Sequence, residues 1–381
     1  MARESSNVSA VSTGDRKRVA MIGAGLIGQA MHLPHLALLR DRFDLAVVAD
    51  PSRTVRERVG DRFGIPVRVA FAAEAIALPG LDAVVIASPN AAHAPTVLAA
   101  LAAGLHVLVE KPLAITLEDV DAVVAARDRA GKVVQVAYNN RYDLAYERLV
   151  SELPDSTTSL RYINVLVHDP EFGPYFGPED LVRGGDVPTE LIVQGGADEA
   201  EQVRKAVGTA DPDAVKAFSG GFLGSLVHQV NMVHGMLAKM GEPLPADVIA
   251  GDAWAAGEAL SGSVRLQNGS RWDNAWIQLV ALHEYDEKIS LYFDDAVHTL
   301  AIPSPWLRQA PSVYTVSRSG SGGREVRSFD SYDEAYQREL VHFHRCMLGA
   351  EECRTPPEQA RVDQAVLTDM YQLAAATGSA S

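Results

Sequence analysis

An apolar strand that runs straight into Gly23, Gly25 and Gly28, spaced G-x-G-x-x-G, leaves this chain few folds to choose from. Helix-forming sequence follows over 29–39. A second apolar strand over 45–49 then ends at Asp50, 22 residues beyond Gly28. Strand, glycine turn, helix, strand and acid, in that order, make the opening unit of a dinucleotide-binding α/β sheet. Gly23 permits the tight turn, Gly25 lets the backbone approach a pyrophosphate, and Gly28 lets helix and strand pack closely. Leu26 and Ile27 complete the turn, and the unpaired N–H groups at the helix start face the phosphates. Asp50 is placed to accept hydrogen bonds from the adenosine ribose hydroxyls. Its charge disfavours a 2′-phosphate, so NAD is the expected cofactor. Ser52 and Arg53 are each able to hold such a phosphate, which leaves NADP open; Arg53 reads equally well as a solvated charge on the next helix.

From residue 17 to 140 short apolar strands (18–22, 45–49, 67–70, 82–87, 106–109 and 132–137) alternate with helical stretches (54–63, 94–103 and 117–130). Near-continuous Val, Ile, Ala and Leu imply strands buried on both faces, hence a doubly wound parallel sheet that takes ligands at its carboxyl ends. After Arg141 the pattern changes. A strand over 160–167 leads into a Gly/Pro/Asp-rich segment over 168–220, expected to be a long loop or lid. A helix over 223–240 follows, then strand segments over 259–267, 275–285, 288–293, 296–302 and 312–318. These predict an α+β domain over 141–350 with an open, mostly antiparallel sheet. Helical patterns over 332–348 and 357–376 close the chain, the last within a C-terminal segment over 351–381. Residues 1–16 are small and polar with no apolar core, and read as a disordered tail, not a signal peptide.

With 381 residues the chain has room for two cores. A net charge of −15 without a basic run argues against nucleic acid or an anionic membrane as the main partner. No apolar stretch approaches the length of a membrane span. Two cysteines, Cys346 and Cys353, carry no metal spacing, so no metal is expected and a reducing cytoplasm is the simplest home.

Two further motifs narrow the reading. Ser88, Pro89, Asn90 and His93 form a turn after the fourth strand, and Glu110-Lys111-Pro112 ends the fifth. In spacing and identity the first 140 residues resemble the Gfo/Idh/MocA oxidoreductases. Lys111, just past a strand at the sheet edge where a nicotinamide must lie, can polarise a substrate oxygen on chemical grounds alone. Pro112 restricts the turn that carries it. The resemblance implies that Glu110 serves the nicotinamide–ribose region and that Ser88, Pro89 and Asn90 line the cofactor. His93 reads either as one of that set or as a cap or packing residue.

Moving a hydride to or from a carbinol also needs a partner for the hydroxyl proton, and histidine suits that work. The family's histidine motif is matched best by Gly220 to Asn231, which puts His228 at the proton-transfer position and Asn231 at a following acid. Gly224 or Ser225 stands where the family carries its first aspartate. His168 or Asp186, in the long segment, is expected to replace that carboxylate. Arg141 is expected at the substrate, and His234 is read as structural. The leading function is an NAD(P)-dependent oxidoreductase acting on a secondary alcohol or ketone of a sugar, cyclitol or related polyol, with keto-sugars and imines included. The alternatives are a lyase or hydrolase that uses tightly bound NAD transiently, and a catalytically decayed dinucleotide-binding regulator. A homodimer or homotetramer through the second-domain sheet is expected from the resemblance.

Overall fold

The computed structural model describes residues 15–170, 181–307 and 310–376. Most of the expected tail therefore lies outside the described residues, as does 171–180 of the expected lid.

Six parallel strands form the first sheet: β1 (Lys17–Ile22), β2 (Phe43–Ala49), β3 (Val67–Val69), β4 (Ala83–Ile86), β5 (His106–Glu110) and β6 (Val134–Ala137), in the order β3-β2-β1-β4-β5-β6. The central strands were legible as apolar runs because both faces are covered: the side chains of β4 and the middle of β5 are fully buried. Helices α2 (Arg53–Phe63), α3 (Ala72–Ile76), α4 (His93–Ala102) and α5 (Leu117–Ala130) make crossovers, and wide turns over Gly28–His32 run directly into α1 (Leu33–Leu38). The strand order reverses between β1 and β4, which opens a crevice at their carboxyl ends. Gly23 stands there with φ +86, and a Cβ on it would lie 2.4 Å from the Ala87 carbonyl oxygen. Only glycine lets the two strand ends come so close.

A 3-10 turn and α6 (Leu144–Glu152) lead into the second sheet. Its eight strands are β7 (Leu160–Pro170), β8 (Asp247–Trp254), β9 (Ala259–Arg265), β10 (Arg271–Leu279), β11 (Asp286–Phe293), β12 (Ala296–Ile302), β13 (Val313–Gly320) and β14 (Gly323–Asp330). They run in the order β14-β13-β12-β11-β7-β10-β9-β8, antiparallel except where β7 meets β10. The expected strand over 275–285 sits earlier, at Arg271–Leu279, and β8 and β14 had no counterpart in the sequence reading. Both are edge strands with largely exposed residues, so they lack the apolar alternation that marks a half-buried strand.

The expected loop over 168–220 is corrected in its second half. It contains α7 (Thr189–Val207) and α8 (Pro212–Val215). Only Val203 on α7 is buried, so no apolar stripe announced the helix, and the paired Gly195 and Gly196 obscured the good helix formers of 197–207. Wide π-type turns over Lys216–Leu226 then run into α9 (Val227–Lys239). Helices α10 (Ala335–Met347) and α11 (Pro357–Ala376) end the chain, and α11 lies across β8 and β9. Gly251 and Gly262 are register partners on those strands. A Cβ on Gly251 would fall 1.8 Å from the Met370 carbonyl, so the paired glycines clear a bed for the helix. Asp363 of α11 is fully buried and fastens α9 by accepting from Asn231 Nδ2 at 2.7 Å and meeting His234 Nδ1 at 2.6 Å. No helix among the described residues is long and apolar enough to cross a membrane.

Candidate active site

The carboxyl end of β5 delivers Glu110 and Lys111 to the floor of a cavity of about 420 Å³, and the first turn of α9 delivers His228 to its wall. The end of β7 adds Asp169, β10 adds Trp276 and Gln278, and the start of β11 adds Glu287 with Tyr285 just before it. Trp306, Tyr332 and Tyr336 close the far side. Neighbouring strands bring the sheet residues to one face, because Glu287 and Trp276 are both register partners of Val167, and Gln278 is the partner of Asp169.

Lys111 Nζ donates to the Gly224 carbonyl at 2.6 Å. At the position where an aspartate side chain was missed, the backbone itself supplies the acceptor, and two N–H bonds of the ammonium are left for the cavity. Burial lowers the Lys111 pKa, partly opposed by Glu110 and Asp169. The His228 imidazole is pushed down to about 3 by burial and then by the Lys111 charge. It is therefore neutral at ordinary pH, and its buried Nδ1 has no hydrogen-bond partner among the described residues. Burial works to raise the Glu110 carboxyl, but the hydrogen bond and charge of His32, with the Lys111 ammonium, hold it low. His32 Nε2 lies 2.8 Å from that carboxylate.

Two carboxyl groups enclose the cavity from the second sheet. Asp169 Oδ2 accepts from Trp276 Nε1 at 3.2 Å and Ser225 Oγ at 3.3 Å, while its Oδ1 is buried without a partner among the described residues. Burial raises its pKa. Glu287 accepts from the Tyr285 hydroxyl, with the Gln229 side chain beside it, and burial pushes it up to about 7. A group held above its ordinary 4.5 adds stability that is full below about pH 4.5 and is lost as pH rises through 7. Glu287→Gln keeps the neutral form at every pH. It should match the parent in melting temperature near pH 5 and exceed it near pH 8.5, by about 1–3 kcal/mol of stability. Equal melting curves for both proteins at the alkaline pH would show that Glu287 is not held neutral by burial.

The glycine turn, Asp50 and the Ser88 turn, expected at the coenzyme, lie at the ends of β1, β2 and β4. A Cβ on Gly25 would meet nothing within 4 Å, so open space stands over the turn where a pyrophosphate approaches. The Asp50 carboxylate, raised by burial, accepts from the Ala24 and Ser52 backbone N–H groups at 3.0 and 2.9 Å. Ser88 Oγ is buried with no partner among the described residues. Leu26 and Pro89 are exposed, Ile27 and Asn90 partly so, and Pro112 is buried behind Lys111. An open turn, a held acid and an orphaned hydroxyl fit a dinucleotide.

Several assignments change. His93 does not line the crevice: it is 1% exposed, and its ring nitrogens each lie 2.7 Å from a carbonyl, of Pro112 and of Ser88. It braces the two motif loops against each other. Asn231 is fully buried against Asp363 and lies outside the cavity, so it is a packing residue and not part of the chemistry. Arg141 donates to the Asn231 carbonyl and side-chain oxygens and to Gln359, and does not reach the cavity; Asn139, Asn140 and Asp143 nearby do. His168 points to the opposite face of β7 from Asp169, since side chains alternate along a strand. Asp186 sits at the start of α2, on Ser52 and Thr54, far from the substrate position. Arg53 is exposed on the first turn of α2.

The carboxyl groups that line the cavity from the second sheet are those of Asp169 and Glu287, not His168 or Asp186, the residues expected to stand in for the family's aspartate. Asp169 stood one residue from the expected one, and the strand's alternation was the available signal. Glu287, within the charged run 286–288, looks like a solvated turn until the register with β7 is known.

Residues 17–138 match the family described as "Oxidoreductase family, NAD-binding Rossmann fold". The inositol 2-dehydrogenase of Streptomyces avermitilis is 40% identical over 137 residues, which are 35% of this chain and 39% of that protein. The myo-inositol 2-dehydrogenase of Thermotoga maritima is 24% identical over 242 residues, 57% of this chain and 70% of that one. The match thus spans about two fifths of the length of the first of these relatives. Among solved structures, a scyllo-inositol dehydrogenase from Lactobacillus casei with bound NAD(H) aligns over 95% of this chain and 98% of its own, with a TM-score of 0.68 and 15% identity. A 3-ketoreductase from Actinomadura kijaniata aligns over 94% and 98%, with a TM-score of 0.71 and 14% identity. At such identities the likeness is one of fold.

Proposed function

We propose, on the premise that with its residues 17–138 the chain belongs to the Gfo/Idh/MocA oxidoreductases, that it interconverts a secondary alcohol and a ketone on a cyclitol, sugar or related polyol. The bound nicotinamide coenzyme supplies the hydride chemistry. The protein's own part falls to Lys111, His228 and the two carboxyl groups. Lys111, fixed by the Gly224 carbonyl, donates to the substrate oxygen and stabilises the charge that develops on it. His228, neutral and with an Nδ1 that has no partner among the described residues, accepts the hydroxyl proton in oxidation and returns it in reduction. Asp169 and Glu287 accept from hydroxyls elsewhere on the substrate, and Trp276 and Trp306 offer faces for its C–H bonds.

The single observation that most supports this reading is the meeting, at one cavity, of a lysine from the first sheet and a histidine from α9 whose Nδ1 has no hydrogen-bond partner among the described residues. Inositol dehydrogenases among the relatives point to the cyclitol class. Nicotinamide absorbance should change when the protein is given NAD with a panel of cyclitols and sugar acids, or NADH with keto-sugars and imines. Coenzyme that binds but keeps its redox state against every member, while a C–O bond in one of them is cleaved, would replace this reading with the lyase one.

A further inference from the structure

Residues just before α7 cross back onto the first domain. The Val182 N–H donates to Gln29 Oε1 at 2.8 Å, and Gln29 Nε2 donates to the Val182 carbonyl at 3.0 Å and the Ala24 carbonyl at 2.7 Å. Val182 is 6% exposed and packs with Met21, Ala24 and Val55. This short strap is therefore fastened to the glycine turn by side chains buried on both partners. Two residues on, Gly184 presses against Ser52, where a Cβ would fall 1.9 Å from the hydroxyl oxygen. Asp186 follows and accepts from the Ser52 hydroxyl and from the Thr54 N–H at 2.9 Å. Those hydrogen bonds hold its carboxyl down at about 2, so it is an anion at any working pH.

The place it fills has a second use. Asp50 accepts from the Ala24 and Ser52 N–H groups, which puts the adenosine ribose edge beside Ser52. A phosphate on the ribose 2′-oxygen would extend from that edge toward the same hydroxyl and the same helix N–H groups. We infer that Asp186 is a coenzyme-specificity residue: its carboxylate, brought in by the strap, occupies the anion position that a 2′-phosphate needs, and so restricts the protein to NAD. Asp50 repels the phosphate by charge alone, whereas Asp186 also takes its hydrogen-bond donors. The Ser52 hydroxyl, free in the sequence to hold a phosphate, is spent: it accepts from the Val55 N–H at 3.0 Å and gives its own proton to Asp186. Specificity of this kind comes from an element built against the competitor.

The inference rests on the coenzyme reading of the first domain, and binding rather than turnover tests it. NADH and NADPH are titrated by nucleotide fluorescence against the parent and against Asp186→Ser, in low and moderate salt. The parent should prefer NADH. In the variant NADPH should bind about tenfold more tightly than to the parent, with NADH affinity moving less than about threefold; the NADH value also certifies the fold. A parent that binds both nucleotides equally, or an unchanged ratio in the variant, would overturn the role of Asp186 while leaving the coenzyme site in place. Failure of both nucleotides to bind either protein would overturn the coenzyme reading and this inference with it.

Discussion

Lys111→Ala is expected to lower kcat/KM for the responsive polyol by about a thousandfold or more, with NADH affinity within a few-fold of the parent. The magnitude follows from what the side chain does. One donor aimed at a developing oxyanion in a water-poor site contributes about 3–4 kcal/mol to the barrier, and here the donor also carries charge. The Gly224 carbonyl fixes the ammonium at 2.6 Å, so the loss falls on the transition state and not on flexible ground-state binding. Lys111→Arg should be no rescue. A planar guanidinium cannot give one N–H to Gly224 and point the others where the three-fold ammonium does. Lys111→Met, close to lysine in length and uncharged, should lose as much as the alanine variant. Steady-state rates with a parallel NADH titration measure both quantities. A variant retaining more than a tenth of parental kcat/KM would remove Lys111 from the chemistry.

How far the sequence reached into this site depends on the range over which each residue's role is decided. Lys111 was legible because everything that places it is local: an apolar strand ends, a proline follows, and the sheet's carboxyl edge is where ligands bind. Gly23 and Asp50 were legible for the same reason, each acting within one β-turn-α unit. His228 was reached only through a motif, and its neighbours were then misassigned. Asn231 was carried over as an acid's stand-in, yet its amide is spent on Asp363, 132 residues away. Arg141 was drawn off the same way, to Asn231 and to Gln359 of α11. Helix α11 packs where no short-range pattern could have announced it. Which of His168 and Asp169 faces the cavity was decided by one residue of strand phase, and Glu287 by the pairing of β11 with β7. Asp186 is the extreme case. Its partner is Ser52, 134 residues earlier, and without the strap's path it reads as a loop acid. Local chemistry was written in the chain, and the second sheet's contribution was written in register.

His228→Gln should lower kcat by about 10²–10⁴, the usual worth of a positioned acid–base group, with coenzyme binding unchanged. Glutamine keeps the bulk and one acceptor but cannot take up a proton, so retention of activity would show that the ring only fills space. Two pH measurements test whether the ring is enclosed and neutral. With its pKa driven to about 3, the parental imidazole stays neutral well below the ordinary histidine value of 6.5. The parent's kcat/KM should therefore show no acid-side fall at pH 6–7 attributable to this group. An inflection near 6.5 that disappears in the variant would mean the ring is solvated and the enclosed site described here is wrong. Stability moves with the same sign. A histidine whose folded-state pKa is depressed costs the fold nothing above 6.5 and destabilises it progressively as pH falls toward 3, by up to about 1.4 kcal/mol per unit. His228→Gln removes that penalty, so the variant should melt above the parent near pH 4.5 and level with it near pH 7.5. The loss of turnover with coenzyme binding intact is what identifies the proton-transfer role; the gain in acid stability reports that the ring is buried and neutral, and equal melting of parent and variant at pH 4.5 would show that it is not.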